Sequence, residues 1–327
     1  MSREDRKLRK HLQERAKREM RLAKKFRSKL GDAPRAKRSE SADHGMVVET
    51  GPGFCDILSG SERVRCRSAG HAVIGDQVLF SRERRRIEDV LPRRTALARA
   101  DPHNPRLERV IAANVDIVVH VVSLKSPPLR AGLIDRYLIA IGKSGATPLL
   151  CVNKIDLLTG NELDLVRPYE EAGISMFYCS AETGRGVDHL EEALAGKMCV
   201  FAGHSGVGKS SLLNRLDPDL HVTTGEVSHA TEKGRHTTTS STLYRLSNGA
   251  MVIDTPGIRE FGLWDVSAAD VRLYYREFDH YACGFPDCSH SHEPDCAVKA
   301  AVESGAIARA RYDGYVRIVK SLGRPDW

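Results

Sequence analysis

Gly203-His204-Ser205-Gly206-Val207-Gly208-Lys209-Ser210 decides the fold. The octapeptide fits GxxxxGK[ST] at every position, follows the apolar run MCVFA (198–202) and precedes the helix-like SSLLNRL (210–216). That strand–loop–helix setting is what a phosphate-cradling loop requires. Its glycines let backbone N–H groups curl around phosphates, Lys209 carries a charge to the β- and γ-phosphates, and the Ser210 hydroxyl is a ligand for Mg²⁺. Ser211 completes the set of contacts expected from this loop. The pattern alone does not choose between ATP and GTP.

Upstream, Asn153-Lys154-Ile155-Asp156 makes that choice. It ends an apolar run, where α/β sheets carry their ligand loops. A carboxylate at Asp156 accepts from both the ring N–H and the exocyclic amine of guanine, and adenine presents no such pair. Ser180-Ala181-Glu182-Thr183, also at a strand end, is placed to put a backbone N–H on the guanine oxygen. Either tetrapeptide alone reads equally as a solvated loop; the two together beside a phosphate loop do not. Downstream, Asp254-Thr255-Pro256-Gly257 supplies an acidic residue that holds Mg²⁺ through water and a glycine free to pivot toward a γ-phosphate. Between them Lys233-Gly234-Arg235-His236-Thr237-Thr238-Thr239 is a polar loop where a switch threonine is needed, and spacing does not say which threonine serves.

The order of these motifs is the sharpest observation. Ordinary GTPases carry the guanine-reading motifs last, whereas here 153–156 and 180–183 precede 203–210. The domain therefore reads as circularly permuted, with appended modules on both sides of the cut, at the nucleotide-sensing side. The runs VDIVVHVVS (115–123), TPLLCVNK (147–154), MFYCS (176–180), MCVFAGHS (198–205) and AMVIDTPG (250–257) have the character of buried parallel strands. Amphipathic stretches at Ala131–Gly142 and Val187–Leu194 lie between them, one further helix is expected over Val266–Phe278, and a helical C-terminus over Ala297–Leu322.

From Gly45 to about Arg94 the texture is different: MVVE, FCDIL, RVRCR, DQVLF and RIEDVL are short β-like runs punctuated by glycines. Five strands in so few residues predict a small barrel of the OB or SH3 type. Between 41 and 100 the only Phe, Trp or Tyr residues are Phe54 and Phe80, against ten arginines. Base stacking is therefore a poor model for this barrel, and backbone or shape recognition of folded RNA a better one; a merely solvated basic face is the plain alternative.

At the other end Cys283, Cys288, His290 and Cys296 crowd into 14 residues. Cys₃His suits tetrahedral Zn²⁺, with His292 and His280 as neighbouring alternatives.

Composition bounds the rest. The 327 residues are 41% hydrophobic and 28% charged, an ordinary globular balance. No apolar run approaches the roughly 18 residues of a membrane helix. The basic N-terminus has no apolar segment behind it, which argues against a secretory signal. Eight scattered cysteines then point to a reducing cytoplasm. The net charge of +7 is local: residues 1–40 hold 16 Lys and Arg against 6 Asp and Glu, and the remainder 34 against 37. This arm, RKLRKHLQERAKREMRLAKKFRSK (6–29), is too poor in apolar residues for a core and reads as polyanion-binding, with a solvated helical tail as the alternative.

GHSGVGKS, GRHTTTS, DTPGIREF, NKID and the C-x₄-C-x-H-x₅-C array together resemble the ribosome small subunit-dependent GTPase A family (RsgA/YjeQ/EngC), and the likeness runs from about Gly45 to Leu322. The resemblance implies an α/β fold: a circularly permuted P-loop GTPase domain with an N-terminal OB-type barrel and a C-terminal helical zinc-binding domain. Its divisions are expected at 1–42 (arm), 43–100 (barrel), 101–277 (GTPase) and 278–327 (zinc domain). It implies a subunit-stimulated GTP hydrolase of late small-subunit maturation, binding rRNA, with one structural Zn²⁺ and Mg²⁺ with GTP. It also implies Thr238 as the switch threonine beside Ser210 and Asp254, and His236 as a catalytic candidate together with Lys209. A soluble cytoplasmic monomer with no membrane partner is expected. Two rivals stand beside the hydrolase: a GTP-sensing RNA-binding switch that hardly turns over, and an ATP-dependent kinase, against which NKID speaks.

Overall fold

The computed structural model describes residues 42–323, apart from 69, 102–103, 105–106, 221–240, 255–262, 264–265 and 286, together with Gln13 and Lys17. The basic arm thus lies outside the described residues but for those two positions.

Strands β1 (Asp43–Gly51), β2 (Phe54–Ser59), β3 (Glu62–Arg67), β4 (Gln77–Ser81) and β5 (Arg86–Val90) form the barrel. Alternation drives it: in β3, Val64 and Cys66 point in while Arg63, Arg65 and Arg67 point out. Tight turns at Gly53 (φ +79°) and Gly60 (φ +62°) reverse the chain. β1 pairs with both β2 and β4, and β3 lies parallel to β5, so the ring β1-β2-β3-β5-β4 closes on itself, the OB pattern. Val47, Cys55, Ile57, Val64, Val78, Phe80 and Ile87 fill it. β1 serves two pairings only because Gly45 has no Cβ; one would lie 2.4 Å from Ile57 Cγ2 and 2.9 Å from the Leu58 carbonyl oxygen.

A hairpin of β6 (Ala96–Ala100) and β7 (Glu108–Ala113) follows. The expected division at residue 100 runs through it, and its Leu97 and Ala112 are buried with the next domain's core, not the barrel's.

The second sheet is built from β8 (Ile117–Ser123), β9 (Thr147–Asn153), β10 (Ser175–Tyr178), β11 (Met198–Ala202), β12 (Ser241–Arg245) and β13 (Met251–Asp254), in the order β10-β9-β8-β11-β13-β12. All neighbours are parallel except β12 with β13. Helices α1 (Ala131–Ser144), α2 (Arg167–Glu171), α3 (Val187–Leu194) and α4 (Lys209–Leu216) complete the domain. On one face Val119, Val121 and Phe201 pack with α3 and α4; on the other Val118 and Val200 meet Tyr137 and Ile141 of α1. Burial on both faces explains the continuous apolar runs. The barrel is continuous with this sheet, since β1 pairs antiparallel with β12 (Glu49 opposite Thr242, Thr50 opposite Ser241).

The single helix expected over Val266–Phe278 is absent. Two 3₁₀ segments, Val271–Tyr274 and Arg276–His280, flank Tyr275 (φ −108°, ψ 77°). Tyr275 leaves the helical register because its ring is buried among Phe278, Tyr315 and the Arg311 guanidinium, so tertiary packing overrides local preference. The helical C-terminus consists of two helices, α5 (Ala297–Glu303) and α6 (Arg309–Leu322), separated at Gly305 (φ +79°).

Candidate nucleotide-binding site and metal centre

Four of the five expected strand runs overshoot at their C-terminal ends, and those overhangs are the site loops. β11 ends at Ala202 and releases the 203–208 loop into α4; β9 releases 153–156, β10 releases 180–183, and β13 ends at Asp254. Since β13 neighbours β11, the backbone of Asp254 emerges beside the phosphate loop. His236, Thr238 and Gly257 lie outside the described residues.

The phosphate loop is held by close backbone approach. Gly208 (φ +92°) sits where a Cβ would fall 2.3 Å from Asn153 Nδ2. Asn153 uses both ends of its amide: Nδ2 donates to the Val207 carbonyl (2.9 Å) and Oδ1 accepts from the Ala181 N–H (3.1 Å). One buried side chain thereby ties together the 153–156, 180–183 and 203–208 loops, from which base and phosphate contacts are expected. The Ala181 N–H, expected to face the guanine oxygen, thus also serves this tie. Lys209 Nζ donates to the Gly203 and His204 carbonyls (2.9 Å each), lying over the loop it is meant to serve. Ser210 and Ser211 sit in the first turn of α4, and His204, Ser205 and Gly206 are exposed at the loop's crest.

On the base side, Asp156 Oδ1 accepts from Ser180 Oγ (2.5 Å), and that oxygen accepts from the Thr183 N–H (3.1 Å). The carboxylate is thus aimed while one oxygen stays available, at the mouth of a cavity of about 660 Å³ lined by Asp156, Thr183, Gly184, Arg185, Gly186 and Asp188. Its volume lies within the range of small-ligand sites, roughly 300–1,000 Å³. Lys154, in the left-handed region (φ +63°), sends its ammonium to the Ser126 carbonyl (2.8 Å).

Several supporting residues were not singled out from sequence. Lys125 fastens the loop after 153–156 through the Leu157 carbonyl (3.0 Å) and Thr159 Oγ1 (2.7 Å). Arg215 of α4 reaches the Thr183 carbonyl (3.4 Å), packed where a Cβ on Gly184 would stand. Arg185 and Asp188 line this cavity, and the available signal was the stretch just past 180–183, where Arg185 stands between Gly184 and Gly186 and Asp188 follows. His120 on β8 stacks on Tyr137 (4.1 Å), and burial pushes its pKa down to about 3, so it is a neutral core residue.

The Cys/His ligand atoms of Cys283, Cys288, His290 and Cys296 lie within 4.8 Å of one another, and all four residues are buried. Cys283 Sγ is 3.8 Å from Cys296 Sγ, and His290 Nδ1 is 3.4 and 3.5 Å from those two sulfurs. Thiolates at about 2.3 Å and an imidazole at about 2.0–2.1 Å around a tetrahedral ion stand about 3.8 Å (S to S) and about 3.6 Å (S to N) apart. The cluster therefore fits a tetrahedral ion. His292 is exposed, bonded to Ser291 Oγ (3.0 Å), and His280 is exposed as well; neither joins the cluster.

The metal loop is clamped from outside. His290 takes a left-handed backbone (φ +56°), and the Glu293 carboxylate accepts the N–H groups of Ser289 (2.7 Å), Ser291 (3.2 Å) and His292 (3.3 Å) around it. Although burial opposes it, hydrogen bonds from Ser289 and from its own backbone N–H hold the Glu293 pKa down to about 2. Arg272 donates to the Cys288 carbonyl (2.9 Å), Tyr315 to Ser289 (2.6 Å) and Tyr312 to His290 (2.8 Å). From the same helix α6, Arg311 donates to Glu277 (2.8 Å) and to Asp135 on α1 (2.5 Å), joining the metal region to the nucleotide domain.

Comparison with known proteins identifies the family. The RsgA GTPase family model matches residues 90–264. Small ribosomal subunit biogenesis GTPase RsgA of Chlorobaculum tepidum is 41% identical over 303 residues, covering 84% of this chain and 94% of that protein. The protein of the same name from Haemophilus influenzae is 39% identical over 298 residues, covering 86% and 85%. Among solved structures, YjeQ from Thermotoga maritima superposes with a TM-score of 0.72 at 33% identity, covering 87% of this chain and 100% of its own. YloQ, described as a circularly permuted GTPase, superposes at 0.68 with 26% identity, covering 90% and 100%. With its permuted motif order, closed barrel and Cys₃His cluster, the chain belongs to the RsgA GTPase family.

Proposed function

We propose that this protein hydrolyses GTP as a late maturation factor of the small ribosomal subunit, that the subunit accelerates turnover, and that nucleotide state is coupled to its release or checking. The observation that carries the nucleotide half is the Asn153 tie, which joins the phosphate loop to the guanine-reading loop. The subunit half rests on the family, whose curated relatives are named for small-subunit biogenesis.

In this reading Asp156 accepts from the guanine ring N–H and amine, and the Ala181 N–H is shared between Asn153 and the guanine oxygen. The 203–208 loop wraps the phosphates, Lys209 neutralises them, and Ser210, Thr238 and Asp254 complete the Mg²⁺ shell, with Gly257 as the γ-phosphate pivot. His236 orients the attacking water. Zinc in the Cys₃His cluster is structural, because four protein ligands leave no open coordination position. The arm and barrel bind rRNA, and the protein works as a cytoplasmic monomer. Among the described residues no helix is long and apolar enough to cross a membrane.

The test is GTP turnover with small subunits, large subunits or none. Stimulation confined to small subunits is the expected result. Equal turnover in all three arms refutes the coupling, and GTP binding without stimulated turnover favours a GTP-sensing switch.

A further inference from the structure

The ten arginines between residues 41 and 100 sort by their partners. Arg63 and Arg65 both donate to the buried Asp56 carboxylate (2.9 and 2.7 Å). Arg82 pairs with Asp43 (3.1 Å) and Glu62, Arg93 with Asp76 (2.7 Å), and Arg94 with Asp116 (2.9 Å). Arg99 is engaged as well. Four remain, Arg67, Arg84, Arg85 and Arg86, and for these no ion pair or side-chain hydrogen bond is found among the described residues.

Those four are not scattered. Arg67 ends β3 and Arg86 opens β5, directly opposite each other in the parallel register. The Arg67 N–H donates to the Arg85 carbonyl (2.8 Å), and Arg84 and Arg85 occupy the turn that feeds β5. All four are exposed, with Glu83 as the one carboxylate in that turn. Like charges directly opposite across strands destabilise a sheet. The barrel neutralises its other arginines and leaves this corner uncompensated, which is the signature of a surface whose counter-charge arrives with a partner.

The partner's chemistry follows from what flanks the corner. Phe80 is fully buried, and the half-buried Phe54 has one face covered by the Arg65 guanidinium (4.2 Å to the centroid), so the barrel's two phenylalanines offer little surface for stacking a base. None of the large exposed apolar residues, Leu107, Leu157, Leu163, Leu165 and Phe285, belongs to the barrel, so nothing there would enter a lipid surface. Guanidinium forks match phosphate oxygens.

We propose that Arg67, Arg84, Arg85 and Arg86 form a phosphodiester-binding corner of the barrel that grips the backbone of folded RNA without reading its bases. It rests on the reading that this protein acts on the small subunit, and it identifies which of the barrel's charges engage the RNA and which are spent internally.

The experiment uses the full chain, a variant with all four arginines changed to Gln, and a control, Arg63→Gln/Arg65→Gln, which removes charge from the paired set. Each is titrated with salt against small subunits and against two RNA duplexes of unrelated sequence. With about 0.7–0.9 counterions released per phosphate contact, the four-fold variant should flatten the log–log salt slope by about 3. Between 50 and 200 mM salt its affinity should then fall about 60-fold less than that of the full-chain parent. The control should keep the parental slope, and both duplexes should bind alike. The four-fold variant should melt no lower than the parent, since a like-charge contact is relieved. An unchanged slope with the duplexes, or a marked preference between them, overturns the proposal. Competition by polyglutamate as effective as by RNA at equal charge also overturns it, in favour of an acidic protein. Failure of small subunits to bind or stimulate the parent would instead sink the functional reading, while the duplex arm still decides the arginine corner.

Discussion

Replacing Arg311 by Met should loosen the C-terminal domain from the nucleotide domain, and the size of the effect follows from burial. Arg311 is 3% exposed and faces two carboxylates, Glu277 and the 1%-exposed Asp135. Desolvation pushes the Asp135 pKa up to about 6 despite the attraction of Arg311, whose single guanidinium also serves the half-buried Glu277. Methionine fills similar volume but leaves Asp135 with weak support: the long Tyr169 hydroxyl contact (3.5 Å), Tyr275 and the charge of Arg317. Orphaning one member of a buried pair costs about 3–5 kcal/mol when the remaining charge stays ionised. The sign with pH is fixed by the direction of the shift. Asp135 binds its proton more tightly folded than unfolded, so its stabilising contribution is complete below about pH 4 and is lost as pH rises through about 6. Without Arg311 that window moves upward, and the variant's deficit should be largest at pH 8 and shrink toward pH 5. Hydrogen exchange of α6 amides reads the opening directly, which matters because a multidomain chain has no single unfolding free energy. Adding Asp135→Asn should recover a substantial part of the loss at pH 8. A deficit under about 1 kcal/mol, or one equal at pH 5 and pH 8, would refute the reasoning, since a buried uncompensated carboxylate must respond to both.

Asp156→Asn should weaken GTP by roughly 10⁴, because a site built to pair guanine donors is left with unpaired groups, and should favour xanthosine triphosphate; unchanged GTP affinity in a titration would exclude Asp156 from base reading. Glu293→Gln should lower metal affinity about 10–100-fold in a chelator competition, because the carboxylate gathers three N–H groups around His290; an unaltered affinity would show that the loop holds its shape unaided. His236→Ala should leave GTP and subunit binding near normal while stimulated turnover falls by about 10³–10⁵, since Ile258 stands where many GTPases carry a water-orienting glutamine. Wild-type stimulation in that variant would remove His236 from the chemistry and leave Arg235 and Arg259 as rivals.

What sequence made legible was whatever a short window encodes. The glycines and lysine of 203–210, the tetrapeptides at strand ends and the alternation in ERVRCR are each readable within a few residues, and the structure puts them at the expected strand ends, helix start and barrel face. Val266–Phe278 failed for the same reason in reverse. Its local pattern is helical, but Tyr275 belongs to an aromatic cluster completed by Tyr315, forty residues later, and no local window contains that contact. The HSHEPDC segment offered His292 as an alternative ligand, and only the loop's closure around Glu293 separates a ligand imidazole from a solvated one.

The ion pairs show the limit most clearly, because charge is visible in sequence while neutralisation is not. Asp135 and Arg311 are 176 positions apart, so their pairing depends on how α6 docks on α1. In the barrel, Arg65 and Arg67 are two residues apart on the same face of β3 and look equivalent in RVRCR. Across the sheet from Arg65 stands Asp56 on β2, while across from Arg67 stands Arg86 on β5. The difference is set by strand order: β3 has β2 on one side and, through the closing parallel pairing, β5 on the other. An antiparallel neighbour joined by a two-residue turn brings a carboxylate already matched to Arg65, whereas the parallel pairing that closes the ring sets two arginines face to face. The same topological step that completes the barrel therefore leaves its one uncompensated basic corner, and a composition-level reading of ten arginines could only average the two kinds together.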